Sequence, residues 1–149
     1  MQPRLDYSKL NPAGAKAMWG LENYVRNCGL EQSLLELVKF RASQINGCAY
    51  CIDMHWAEGL EAGESEVRLA QATAWHESPY FDDRERAALA LTDSVTRVGE
   101  THVPDEVWRE AEAHFDPDEL ANLLFAIAAI NFWNRIAVST RIPPQSFSP

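Results

Sequence analysis

Apolar residues recur three and four positions apart along almost the whole chain, the spacing of helices that each hide one face, and alternation of period two is nearly absent. Asn11-Pro12 offers a capping side chain followed by a first-turn proline, and Met18, Leu21, Tyr24 and Val25 keep helical phase up to Asn27. A second helix is predicted over residues 31–45, with Leu34, Leu35, Val38 and Ala42 on its inner face, and Asn46-Gly47 breaks it. A third begins near Cys48 and stops between Glu61 and Gly63, after which Ser65 and Glu66 start a short helix running from Val67 to Trp75. Asp82 or Asp83 caps the next, whose Ala87, Leu91, Ser94, Val95 and Val98 hold the period until Gly99. Pro104 opens another short helix. Asp116-Pro117 repeats the cap-plus-proline signal ahead of a long helix from Asp118 to about Ser139. Within it Leu120 to Ile136 is apolar almost all round, the mark of a helix at the domain centre or against another subunit.

These elements make one all-α domain over residues 1–149, of about six to seven helices. Only the first ten residues and the Pro-rich tail after Arg141 are expected to lie loose. A length of 149 residues suits one domain with a sizeable core, and 46% hydrophobic residues is ordinary for a folded protein. The formal charge of −9 repels phosphate backbones and anionic headgroups, so neither nucleic acid nor a membrane surface is an expected partner. No uninterrupted apolar run of about eighteen residues occurs, and the amino end MQPRLDYSKLNP has neither a basic nor an apolar leader segment; a cytoplasmic location is expected. Three cysteines are too few, and odd in number, for a secreted disulfide framework. A close pair in this setting is catalytic, redox-sensing or metal-binding, whereas Cys28 is read as a small buried hydrophobe.

Glu36, Cys48, Cys51 and His55 stand in the order E-x11-C-x2-C-x3-H, the one stretch where spacing implies chemistry rather than packing. With Cys48 in the first turn of a helix, Cys51 lies about 60° and His55 about 20° away around the axis, so all three share a face. Positions i and i+3 are within disulfide reach, roughly 5 Å between Cα atoms, so the pair can cycle between dithiol and disulfide with little backbone change. Unpaired N–H groups at a helix start favour a thiolate. If Asn46-Gly47 folds the two helices into an antiparallel hairpin, Glu36 comes level with His55, where a carboxylate orients an imidazole and raises its basicity. The result is a proton relay from thiol through His55 to Glu36. A zinc site built from Cys48, Cys51, His55 and Glu36 is the competing reading, although structural zinc pairs more often come from knuckles or separate elements.

The stretch from Glu36 to Gly59, ELVKFRASQINGCAYCIDMHWAEG, resembles the core of the AhpD-like alkylhydroperoxidases of the carboxymuconolactone decarboxylase superfamily. LDYSKLNPAG near the start and INFWNR, Ile130 to Arg135, extend the resemblance over most of the chain. It implies an AhpD-like helical domain that assembles into a homo-trimer or homo-hexamer and runs a peroxidase cycle in antioxidant defence. By matching position, Cys51 corresponds to the peroxidatic cysteine, Cys48 to the resolving one, and His55 with Glu36 to the proton relay. No bound cofactor is implied. A hydroperoxide is the substrate, and an external dithiol, such as a lipoyl group on a partner protein, reopens the disulfide. Where the best-known peroxidases carry a histidine between the cysteines this chain has Tyr50, whose phenol cannot share proton work near pH 7 but can donate a hydrogen bond. The decarboxylase branch lacks the cysteine pair, so lactone decarboxylation is not expected. A non-enzymatic redox-responsive protein using the same pair is the alternative.

The remaining polar candidates read as structural. His76, His102 and His114 have no partners at ligand spacing and take surface or cap roles, and Asn131, Asn134 and Arg135 form a hydrogen-bond cluster or subunit contact. Trp19, Trp56, Trp75, Trp108 and Trp133 are core or interface residues, with Trp56 as an auxiliary candidate for lining the substrate entrance.

Overall fold

The computed structural model of the protein describes residues 2–147. Among these the chain forms nine α-helices, one 3-10 turn and no strand: α1 (Tyr7–Leu10), α2 (Pro12–Arg26), α3 (Gln32–Asn46), α4 (Ala49–Glu61), α5 (Glu66–Gln71, continued by the 3-10 turn Ala72–Ala74), α6 (Asp83–Thr96), α7 (Val98–Thr101), α8 (Asp105–His114) and α9 (Pro117–Thr140). The two beyond the predicted seven are single turns of four residues, α1 and α7. Side chains at the helix starts explain the boundaries. The Asn11 amide oxygen accepts from the Gly14 N–H at 3.1 Å. Asp82 with Glu85 and Asp116 with Glu119 form reciprocal capping boxes at α6 and α9.

Helix α3 takes the centre. Every residue from Leu34 to Ser43 is buried, the charged ones included, and the helix packs against α4, α6 and α9. The apolar pattern of α9 predicts that helix at the domain centre or against another subunit. It buries Leu123, Ala126, Ile127, Ile130 and Asn134 on one side and leaves Phe125 and Val138 each 48% exposed on the other, so within the chain α3 rather than α9 is the axis of the domain. An 18-residue window of α9, mean hydropathy 1.3, is long and apolar enough for a membrane span by composition alone, but half of it is buried within the domain. The amides of Asn131 and Asn134 bond to Thr96 on α6 and Ser43 on α3, each at 3.0 Å, so α9 is a core helix.

Both chain ends differ from expectation. The Arg4 N–H donates to the Thr140 carbonyl at 2.8 Å, and the Tyr7 ring lies 6.4 Å from that of Trp133. At the other end the Ser146 N–H and hydroxyl both donate to Asp53, at 2.9 and 2.6 Å, and the Gln145 amide donates to the Tyr50 hydroxyl at 3.0 Å. Polar tail composition reads as loose, yet these contacts dock the tail along α4 and the start of the chain against α9.

The charges buried on α3 are paired rather than solvated. Arg41 grips Asp93 of α6 through two bonds of 2.7 Å, and the Trp75 indole N–H also reaches Asp93 at 3.4 Å. Removing one partner of such a pair strands the other charge away from water. Asp93→Ala is therefore expected to lower unfolding free energy by about 3 kcal/mol, measured as a fall in the urea midpoint at constant slope. A loss under about 1 kcal/mol would show that Arg41 is satisfied without Asp93.

Candidate active site

Gly47 ends α3 in the left-handed conformation, φ 64°, a place for which glycine carries no Cβ penalty. The next helix starts one residue later than the sequence pattern implies, because Cys48 is the N-cap of α4 and not part of its first turn. Its sulfur accepts the Cys51 N–H at 3.4 Å, the position a serine or aspartate oxygen usually fills. Both thiols are free, and both residues are 1% exposed.

The hairpin of α3 and α4 brings Glu36 level with His55. Glu36 Oε2 stands 2.7 Å from His55 Nδ1, and Glu36 Oε1 accepts from the Gln32 amide at 2.8 Å. A second carboxylate, which sequence reasoning missed, meets the same ring nitrogen: Glu58 Oε2 lies 3.3 Å from His55 Nδ1. Its signal was present, since residue 58 is one turn beyond His55 on the same helix face. Arg26 of α2 holds Glu58 through bonds of 3.1 and 3.3 Å and Glu22 through one of 3.0 Å. Lys39, 1% exposed, donates to Glu22 at 2.7 Å, and the Trp133 indole reaches Glu22 at 3.2 Å. The connected group thus holds three carboxylates, Glu22, Glu36 and Glu58, against two fixed cations, Arg26 and Lys39, and an imidazolium at His55 brings it to neutrality.

Titration follows from these contacts. Burial disfavours a charged His55, but the hydrogen bonds to Glu36 and Glu58 outweigh it and raise the imidazole above its ordinary value. The His55 bond, helped by Arg26, holds Glu58 well below the usual carboxylate range, at about 2. The cysteines split. Cys48 is lowered to about 7, first by the hydrogen bond it receives from the Cys51 thiol, against burial, and then by the Cys51 N–H, the Asn134 amide and the charge of His55. Cys51 is pushed up by donating that same bond, by burial and by the negative charge on Cys48. The proton lost first belongs to the pair, and the one that remains is shared between the two sulfurs.

A cavity of about 80 Å³ adjoins the pair. Cys51 and His55 line it, with Tyr7, Trp19, Tyr50, Met54 and Trp133 among the other walls, whereas Cys48 is not part of the lining. His55 Nε2, on the ring edge away from the carboxylates, is buried without a hydrogen-bond partner. Trp56 is absent from this wall: it packs on Phe40 at 5.9 Å in the core between α3, α4 and α6, and the tryptophans that line the cavity are Trp19 and Trp133. Tyr50 does reach the cavity.

The zinc reading is not supported by position. Among the described residues, the three side chains whose ligand atoms come within 4.8 Å of one another are Glu36, His55 and Glu58, without either cysteine. Asn131, Asn134 and Arg135 form the expected cluster, joined by Asn46 at 2.9–3.0 Å, and Asn134 in addition lowers both thiols. His76 stacks on Trp75, His102 caps α7 and His114 bonds to Glu110 at 3.2 Å, surface and cap roles as expected. Cys28 is half-buried against the core rather than fully enclosed.

With this geometry in view, relatives are informative. The family model described as carboxymuconolactone decarboxylase matches residues 12–94, which includes all four residues of the E-x11-C-x2-C-x3-H pattern. The uncharacterized protein YdfG of Bacillus subtilis is 37% identical over 139 residues, 93% of this chain and 95% of its own. An Agrobacterium tumefaciens protein of unknown function, described with its crystal structure as a candidate antioxidant defence protein AhpD, superposes with a TM-score of 0.93 at 44% identity over 99% of both chains. The debrominase Bmp8 superposes with a TM-score of 0.80 over 93% of this chain and 74% of its own, but at 20% identity the likeness is one of fold alone.

The shared proton predicts a spectroscopic transition. Thiolate absorbance near 240 nm should rise in the reduced protein with a midpoint of about 7, and Cys48→Ser should move the remaining thiol to a higher midpoint. A transition that survives Cys48→Ser unchanged would place the low-pKa sulfur elsewhere.

Proposed function

The chain belongs to the carboxymuconolactone decarboxylase family, and we propose that within it the protein is a thiol-dependent peroxidase of the alkylhydroperoxidase kind, acting in antioxidant defence. The observation that carries this reading is the placement of Cys51 and His55 together on the cavity wall, with the Cys48 sulfur 3.4 Å from the Cys51 backbone nitrogen. An oxidant entering the cavity meets one sulfur, and the second waits within bonding reach.

In this reaction the Cys51 thiolate attacks the terminal peroxide oxygen, the O–O bond breaks, and the departing alkoxide takes a proton to leave as an alcohol. Cys51 becomes a sulfenic acid. Cys48 then attacks that sulfur, displacing its oxygen as water and forming the Cys48–Cys51 disulfide. His55 manages the proton next to the reacting atoms, and Glu36 positions His55. A dithiol must restore the pair by thiol–disulfide exchange, and a lipoyl group carried by a partner protein fits that chemistry. No bound cofactor is needed.

Tyr50 stands beside Cys51 with its hydroxyl accepting from Gln145, which leaves the phenolic O–H free to donate into the cavity. Assembly of further copies as a trimer or hexamer is supported by the apolar side chains that the single chain leaves open, Trp19, Tyr24, Phe125 and Val138. Near-complete burial of both thiols favours one other reading, a redox-responsive protein whose pair oxidises without rapid turnover.

Hydroperoxide added to the reduced protein should consume both thiols and yield one intramolecular Cys48–Cys51 disulfide per chain, read by peptide mass spectrometry. With dithiothreitol or dihydrolipoamide in excess the protein should turn over. Cys51→Ser should bring peroxide consumption to the uncatalysed rate, and His55→Ala should slow it by about 10²–10⁴-fold. Full turnover by Cys51→Ser would refute the assignment, and a disulfide formed once without turnover would select the redox-responsive reading.

A further inference from the structure

Two carboxylates hold His55 where the relay needs only one. Glu36 is 1% exposed, and its two oxygens are taken by Gln32 and by His55 Nδ1. Glu58 approaches the same nitrogen at 3.3 Å, but its side chain is 28% exposed and faces a polar groove that it shares with Gln32, Glu36 and Glu61. Arg26 fixes Glu58 from above while itself lining the cavity on the Cys51 side. The groups facing His55 are thus Glu36 and Lys39 from α3, Glu58 and Cys51 from α4 with Cys48 at its N-cap, and Glu22 with Arg26 from α2, while Tyr7 of α1 and Tyr50 of α4 line the same cavity. The nearby α9 residues Trp133 and Asn134 carry no charge.

We propose that Glu58 is a second positioning residue for His55, and that with Glu36 it keeps the imidazole protonated, so that His55 meets the hydroperoxide as an acid serving the departing oxygen and not as a base for the thiol. This rests on the peroxidase reading and assigns the direction of its proton step.

The cycle then balances. The resting site holds one thiolate, one thiol and one imidazolium. The proton between the sulfurs moves onto Cys48, and the Cys51 thiolate attacks the hydroperoxide. His55 gives its Nε2 proton to the alkoxide, leaving a sulfenic acid, an alcohol and a neutral imidazole. The Cys48 thiol attacks the sulfenic sulfur, and its proton leaves with the displaced hydroxide as water. A dithiol reductant then supplies two electrons and two protons, of which one returns to the sulfur pair and one to His55. No external base appears in the sequence. The orphaned Nε2 explains itself on these terms, because its partner is the oxygen that arrives with the substrate.

The sign of the pH dependence follows. Reaction needs a thiolate, which forms as pH rises through about 7, and an imidazolium, which is lost as pH rises through the elevated value of His55. The rate of disulfide formation should therefore be bell-shaped, with His55 setting the alkaline limb.

The test is Glu58→Gln, which keeps the shape and removes the charge, with Glu58→Asp as the conservative variant. His55 is titrated by ring NMR in the reduced protein without any peroxide, and disulfide formation with tert-butyl hydroperoxide is followed in single turnover against pH. Glu58→Gln should shift the His55 titration and the alkaline limb downward together, and Glu58→Asp should restore part of both. A His55 titration unmoved by Glu58→Gln overturns the proposal, as does a limb that stays in place while the titration moves. If the wild-type protein forms no disulfide with peroxide, the peroxidase reading falls, and the acid role of His55 falls with it. The NMR titration then still decides whether Glu58 sets the protonation of His55.

Discussion

The bond between Glu36 and His55 across the α3–α4 hairpin is the constraint around which the rest is arranged. Each residue is 1% exposed, and the bond spans 2.7 Å. A carboxylate taken that far from water costs several kcal/mol unless charge and hydrogen bonds meet it on every side. Gln32, Lys39 and, through His55, Glu58 and Arg26 meet that demand, and they come from three different helices. The hairpin must close at Gly47 in one register for the bond to exist. One helical turn of slip would leave Glu36 facing apolar neighbours without a partner.

That register also determines the state of the sulfurs. Because only Gly47 and Cys48 separate the two helices, Cys48 falls at the N-cap of α4, where the helix presents unpaired N–H groups, and Cys51 falls one turn on, beside the cavity. The pair therefore separates acidity from access. Both residues are 1% exposed, but the environment favours the negative charge on Cys48 and the proton on Cys51, and of the two only Cys51 lines the cavity. A hydrogen bond joins the two, so moving one proton over a short distance exchanges those roles. Two exposed surface thiols would lack this coupling, since water would satisfy each separately.

Much of this could be read from the chain. Caps such as Asn11, Asp82 and Asp116 mark the long helices within a residue or two, because capping is local and depends on residues close in sequence. Glu36, Cys48, Cys51 and His55 could be brought together by counting rise per residue along two helices. What escaped were interactions between distant segments. Lys39 and Glu22 look like surface charges, since nothing within four residues of either reveals that they pair with each other across 17 positions. Glu58 was visible as a neighbour of His55, but a glutamate on a helix is usually solvated, and only Arg26 from α2 makes it part of the site. Trp56 and Trp133 have the same chemistry and differ only in which side of their helix faces the cavity, a distinction the apolar period of α9 does not make. The docked chain ends were hidden for a similar reason, because Ser146 and Arg4 bind groups more than 90 residues away.

Fold by itself does not choose the chemistry, as the shared architecture with a debrominase makes plain. The local environment of Cys51 does. Its cavity is walled largely by aromatic and aliphatic side chains, with Arg26 and Glu22 joined to each other at one end. A neutral organic molecule is favoured over an ion in such a space, since an ion would have to break that pair or remain unpaired. Tyr50 stands where the peroxidases that this chain resembles carry a histidine. Of the residues lining the cavity, His55 is then the one imidazole. In the peroxidase cycle that we propose, proton transfer to the departing oxygen falls to this single ring, and the carboxylates behind it decide how firmly it holds what it must give.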